Sequence, residues 1–145
     1  MSRTVAYVPI YRRDFKLLAD LRIEDARLLL HNGREQGAYY LCGYAVECAL
    51  KACIAKKVKL YQFPPGKEYV YKIYSHNLNS LVTAAGLDGQ LQADITTNLA
   101  FAANWNTVKD WSEESRYKGA GLSGTDLYNA VTGTDGVLPW IKTRW

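Results

Sequence analysis

Cysteine is scarce in this chain, and what there is sits badly for cross-linking or for metal. Only Cys42, Cys48 and Cys53 occur. The count is odd and no CxxC pair exists, which argues against a disulfide framework or a zinc knuckle. All three fall on one predicted helix, in or beside its apolar arc, and read as buried reduced thiols. Long apolar runs are missing too. None reaches about 18 residues, so no membrane span is expected. Met1 to Asp20 carries Arg12, Arg13 and Lys16 without a long apolar core, so no secretory signal is expected and the chain reads as cytoplasmic.

Charge of one sign is not massed either. The net charge of +4 is mildly basic, compatible with nucleic acid or phosphate partners without demanding them. The densest basic segment, Lys56, Lys57, Lys59 and Lys67, reads first as a solvated helix end. Neither of the phosphate-cradling patterns GxxxxGK[ST] and GxGxxG is present. AGLSGTD lacks the spacing of a nucleophile elbow. Asp110, Glu113 and Glu114 crowd one predicted helix with no His nearby in sequence, so neither a metal site nor a cofactor is expected.

The 145 residues suit one domain, with apolar residues at 48% and charged residues at 22%. Eleven tyrosines and four tryptophans are more than a core alone requires, and they suit ligand or subunit surfaces as well.

The chain is organised around Gly37 to Lys57, GAYYLCGYAVECALKACIAKK, which has no Pro and one interior Gly, Gly43. At about 100° per residue, Leu41, Cys42, Ala45, Val46, Ala49, Leu50, Cys53 and Ile54 cover more than half of a helix circumference. Such a helix belongs at the centre of a bundle. Tyr40, Tyr44, Glu47 and Lys51 form a narrow stripe on its remaining face, with Gly43 close by. Glu47 and Lys51 are either an ordinary surface pair or a polar seam inside the bundle or a subunit interface that needs further partners.

On either side the pattern stays helical. Met1 to Tyr11 is a short arm. Arg12 to His31 forms the first helix, with Leu17, Leu18, Leu21, Leu28 and Leu29 as its apolar arc. Asp25 falls inside that arc. It needs Lys51, His76 or Arg116 as a partner if buried, or else it reaches solvent at the arc's edge. Asn32-Gly33 ends the helix and makes the first two helices an antiparallel hairpin. Val58 to Tyr74, broken by Pro64-Pro65-Gly66, reads as a long ordered loop. A third helix opens at Leu78, capped by Ser75 or Asn77, and ends at Gly86. A fourth runs from about Asp88 to Ser115 with a break near Thr96-Thr97-Asn98. Its stripe of Phe101, Trp105, Val108 and Trp111 reads as core. A last helix, capped by Ser123 or Thr125, reaches Trp145 and divides where Gly133, Gly136 and Pro139 weaken it. The fold class expected is all-α, an up-and-down bundle of about five helices.

Several separated motifs then coincide: Glu47 and Lys51 in VECALKA, His76 and Leu78 in SHNLNSL, and Arg116-Tyr117 in WSEESRY. In this order on a helical pattern, the chain from about Phe15 to Trp145 resembles a HEPN-domain protein (higher eukaryotes and prokaryotes nucleotide-binding). The resemblance implies a HEPN-like bundle, commonly a homodimer, associated with nucleotide or RNA chemistry. Many such domains look like partners of minimal nucleotidyltransferases in toxin–antitoxin pairs. Some are metal-independent ribonucleases that carry an Arg with a His a few residues after it, late in the bundle. Here EESRYKGAGLSG offers Arg116 and no His, and His31 follows Arg27 on the wrong helix. A catalytic site of that form is absent.

Tyr40, Tyr44, Glu47, Lys51, His76, Arg116 and Tyr117 are the candidate ligand-binding residues. Arg116 and Lys51 can hold phosphate, and a tyrosine can stack on a base. The same group can instead be a structural network, with Glu47 paired to Arg116 and His76 capping the third helix. Two functions follow. One is a non-catalytic nucleotide- or RNA-associated module, dimeric, working with a nucleotidyltransferase. The other is a divergent ribonuclease using His76, Arg116 and Tyr117. An enzyme needs these side chains convergent in an open cleft, whereas a structural network needs them buried and paired.

Overall fold

The computed structural model describes residues 10–60, 71 and 73–145. Among them every regular element is helical, and the architecture is an all-α, up-and-down bundle. The arm before Ile10 and the stretch around Pro64-Pro65 lie outside the described residues.

Helix α1 (Arg12–His31) and helix α2 (Glu35–Leu60) form the expected hairpin. Between them Gly33 takes a φ of 71°, the left-handed turn that the Asn32-Gly33 pair favours. Helix α2 continues to Leu60, past the Lys57 boundary expected from the sequence. It is the central element. Cys42, Ala45, Val46, Ala49, Leu50, Cys53 and Ile54 are buried as its apolar arc predicts, with Leu41 half-buried. Around it pack α1, α3 (Leu78–Ala84), the 3-10 segment Glu113–Tyr117, α6 (Gly124–Thr132) and α7 (Val137–Lys142). Helices α4 (Asp88–Thr97) and α5 (Leu99–Val108) pack on each other, and α5 also meets α6 and α7.

The two longer helices expected after Asp88 are each divided. Asn98 closes α4 and opens α5, its side chain accepting from the Phe101 amide at 3.0 Å. Helix α5 stops at Val108, and Glu113–Tyr117 is a separate 3-10 turn rather than a continuation. Ser112 starts that turn, accepting from the Glu114 amide at 3.2 Å. Ser123 caps α6 in the same way, and Gly133 to Gly136 separates α6 from α7. Asn77, not Ser75, caps α3 through the Ser80 amide at 3.0 Å.

Helix α1 keeps part of its expected face: Leu18 and Leu29 are half-buried and pack against the core. Leu17, Leu21 and Leu28 are exposed, whereas Ala19 and Ala26 are fully buried. The contact with α2 uses small residues, which lets the two helices approach closely, and the leucine arc is turned toward one edge. Asp25 takes the solvent-edge alternative. It lies 3.4 Å from Arg22 on its own helix with its side chain 46% exposed, so Lys51, His76 and Arg116 are not its partners.

The start of α2 is tied to the chain before α6. Gln36 and Leu122 exchange two hydrogen bonds, and Glu35 accepts from both the Thr125 amide and hydroxyl, at 2.7 and 2.6 Å. These ties join the start of α2 to the entry of α6, and the 3-10 segment that carries Arg116 and Tyr117 packs on α2 as well.

Candidate functional site

The polar stripe of α2 is a seam in the bundle rather than a solvated face. Glu47 is only 2% exposed. A carboxylate removed from water requires charged or hydrogen-bonded partners, and it has two. Its Oε1 lies 2.8 Å from His76 Nδ1, and its Oε2 lies 3.5 Å from Lys51 Nζ. His76 stands in the short segment before α3, half exposed, and its Nε2 faces Glu113 Oε2 at 3.3 Å. A proton on either ring nitrogen therefore meets a carboxylate. The chain of contacts joins α2, the α3 entry and the 3-10 turn.

Aromatic rings close the seam beside Glu47. Tyr40 stacks on Tyr44 with ring centres 6.1 Å apart and planes 6° apart, and Tyr40 also lies against Trp111 at 6.0 Å. Trp111 is buried and seated directly on Gly43. A Cβ at Gly43 would stand 2.2 Å from three atoms of the indole ring, so this position admits only glycine while the ring is in place. Burial is the main reason that the Tyr44 hydroxyl is pushed up to about 12, with Cys48 and Glu47 adding to it. The Trp111 Nε1 and Ser115 Oγ atoms are buried with no hydrogen-bond partner.

The outer edge is exposed and cationic. Arg116 lies 4.8 Å over the ring of Tyr117, and Tyr117 is 76% exposed. The neighbouring Tyr117 side chain first, then Tyr40, pushes the Arg116 pKa up and keeps the guanidinium charged.

All seven sequence-predicted residues thus border one seam, but in two layers. Glu47, Tyr40, Tyr44 and Lys51 form its inner part, and His76, Arg116 and Tyr117 its rim. The pairings differ from those expected of a structural network. Glu47 pairs with His76 and Lys51, not with Arg116, and the cap of α3 is Asn77, not His76. Trp111 and Glu113 complete the arrangement. Trp111 was legible only as core, and Glu113 only as one of a cluster of acids. Their nearness to Gly43 and His76 follows from the turn after α5, which periodicity does not show. Among the described residues, no group of three or more His, Cys, Asp and Glu side chains could hold a metal ion.

Compared with protein-family models, with curated proteins and with solved structures, the chain matches none.

The cysteines are buried as expected. Burial pushes Cys42 up to about 12, and Cys48 and Cys53 to about 11, so these thiols are poor nucleophiles at neutral pH. No described helix is long and apolar enough to cross a membrane.

Proposed function

We propose that this chain is a non-catalytic HEPN-type helical module that associates with nucleotide or RNA through the rim of the α2 seam. In this reading it works as a homodimer beside a minimal nucleotidyltransferase in a toxin–antitoxin-like pair. The observation that carries the non-catalytic part is the occupation of His76. Both of its ring nitrogens face carboxylates, Glu47 on one side and Glu113 on the other. With Nδ1 bonded to Glu47 and Nε2 facing Glu113 at 3.3 Å, the imidazole is engaged within the protein rather than presented to a substrate. Binding is supported by the rim itself. Arg116 supplies a fork for phosphate and the exposed Tyr117 ring a face for a base. The motif order Glu47–Lys51, His76, Arg116-Tyr117 on an all-helical chain supports the family reading.

The ribonuclease reading rests on one specific observation. The contact between His76 and Glu113 lies at the half-exposed rim, so a substrate could displace Glu113 and free Nε2. One experiment separates the two readings. The protein is incubated with single-stranded RNA in the presence of chelator, beside a His76→Ala, Arg116→Ala double variant checked for folding. We expect RNA to remain intact and binding to weaken in Arg116→Ala and Tyr117→Ala. Each loss should be about 1–3 kcal/mol, the usual worth of a stacked base or a charge-assisted bond. Cleavage by the wild type that vanishes in the folded double variant would overturn the non-catalytic reading.

A further inference from the structure

Helix α1 has two apolar faces, and only one of them is covered. Ala19 and Ala26 are fully buried, whereas Leu17, Leu21 and Leu28 are 59%, 44% and 49% exposed. At about 100° per residue, Leu21 and Leu28 lie about 40° and 20° round the helix from Leu17, and Ala26 and Ala19 about 180° and 200° from it. The three leucines thus form one stripe on the side turned away from the core. A lone exposed leucine is ordinary, but an aligned row on one helix is not. The steps from Leu17 to Leu21, Glu24 and Leu28 alternate between four and three residues, as in a coiled-coil seam.

The charges along the stripe say what covers it. Two copies of α1 can lie antiparallel with Leu17 of each across from Leu28 of the other. Four of the six leucines then pair directly, and Leu21 of each copy lies beside Glu24 of the other. In that register the flanking Asp20 of each copy falls beside Arg27 of the second copy. Both groups already have a partner in their own chain. Asp20 accepts from Lys142 through Oδ1, and Arg27 donates to Glu24 through Nε and Nη2. Those contacts use neither Oδ2 of Asp20 nor Nη1 of Arg27, so the crossing does not require breaking them. Exposed pairs of this kind add little affinity, but they select an orientation.

Other alignments set like charges together. A parallel pair places Glu24 against Glu24 and Asp20 beside Asp25 of the second copy. An antiparallel pair moved by one heptad places Asp20 against Asp20 and Asp14 against Glu24. Glu24, held by its own Arg27, is the polar position in the seam that fixes the register at a cost in affinity.

We propose that the Leu17, Leu21 and Leu28 face of α1 is the surface through which two copies of this chain pair, antiparallel, with Leu17 set against Leu28. The inference rests on the homodimer of the preceding reading and gives that dimer its interface.

Sedimentation of the whole chain at micromolar concentration should show a dimer. Leu17→Lys alone and Leu28→Glu alone alter exposed positions, so the fold should hold, as circular dichroism would verify. Each should raise the dissociation constant about tenfold or more. The double variant Leu17→Lys, Leu28→Glu should recover the dimer, because opposite charges then meet at both ends of the seam. A parallel pair would instead juxtapose like charges in the double variant and stay apart. A monomeric wild type, a dimer that neither single variant weakens, or a double variant no more dimeric than the singles would each overturn the proposal. A monomer would overturn the homodimer reading too. A dimer indifferent to both variants would leave that reading standing and move the interface elsewhere. RNA binding is scored at Arg116 and Tyr117, on the 3-10 segment rather than on α1, so its failure is separate.

Discussion

Helices α1 and α2 each break the usual division of polar and apolar side chains, and they do so in opposite ways. Helix α2 draws charge inward. Buried Glu47 faces Lys51 and His76, and His76 faces Glu113, while Trp111 lies on Gly43, one turn before Glu47, and against Tyr40. Helix α1 turns Leu17, Leu21 and Leu28 outward. Compensated charge excludes water and fixes helix register, and breaking it costs stability. Leucines left in water add little to the fold of one copy. The buried part of the seam thus serves the fold, and the nucleotide or RNA binding proposed above is confined to its exposed rim.

The sharpest way to break the seam is at Gly43. Trp111→Ala should cost about 4 kcal/mol, as large-to-small changes of buried aromatics do. Gly43→Ala should cost about 3 kcal/mol, because the new methyl cannot share space with the indole. In the Trp111→Ala background the clash is gone, and the same Gly43→Ala change should reverse sign and stabilise by up to about 1 kcal/mol through helix propensity. Denaturant unfolding of the two single variants and the double closes the cycle. Additive effects would mean that Gly43 does not serve to seat Trp111.

The comparison itself is tested by changing one residue on each face. Glu47→Gln should lower stability by about 2 kcal/mol. The value is below that for a fully buried ion pair because His76 and Lys51 retain some contact with water. Compared at a dilution where both are monomers, Leu17→Lys should stay within about 0.5 kcal/mol of wild type. If the two variants were equally stable, the seam would not be structural in the sense argued here.

Next in size is the response to alkali. Burial holds Cys42 near 12 and Cys48 and Cys53 near 11, above the ordinary thiol value of 9.0, and Tyr44 near 12 against 10.0. A folded-state pKa raised above the unfolded one gives stability that is complete below the unfolded value and lost as pH rises toward the folded one. Unfolding free energy should thus hold steady to about pH 9 and fall beyond it. Thiol-directed reagents should react slowly at neutral pH until the protein is unfolded. Fast labelling of the native protein at neutral pH would contradict the burial of the thiols.

Much of this was legible in the chain because local chemistry decides it. Asn98 breaks a helix since its side chain serves one amide turn better than a continuing ladder. The arc from Cys42 to Ile54 is buried because no other face of α2 is as apolar. What failed was decided by helix approach. Leucines mark the apolar side of α1, yet Ala19 and Ala26 are its fully buried residues, Leu18 and Leu29 only half-buried and Leu17, Leu21 and Leu28 exposed. The candidate residues were found by type and order, but their pairing was not. Whether Glu47 meets Arg116 or His76 depends on where the turn after Val108 sends Glu113–Tyr117, and no periodicity encodes that direction.

The smallest effect expected is on the acid side, and it bears on how the seam is assembled. Glu35 opens α2 and receives the Thr125 hydroxyl and amide from the start of α6. Those bonds, the hydroxyl first, hold its carboxyl below the ordinary value of 4.5. A depressed folded-state pKa gives stability that is present above the unfolded value and lost as pH falls through the folded one. Lowering the pH below about 4.5 should therefore loosen the tie between α2 and α6. Asp94, held below its ordinary value of 3.8 mainly by the Trp140 indole N–H, adds to the loss as the pH falls further. Thr125→Val removes the hydroxyl and keeps the amide, so it should flatten the acid limb only in part, while Glu35→Gln flattens all of the Glu35 share. Equal acid limbs in wild type and both variants would mean that this tie is a solvent-screened surface contact, and that Gln36 and Leu122 alone hold α2 in place.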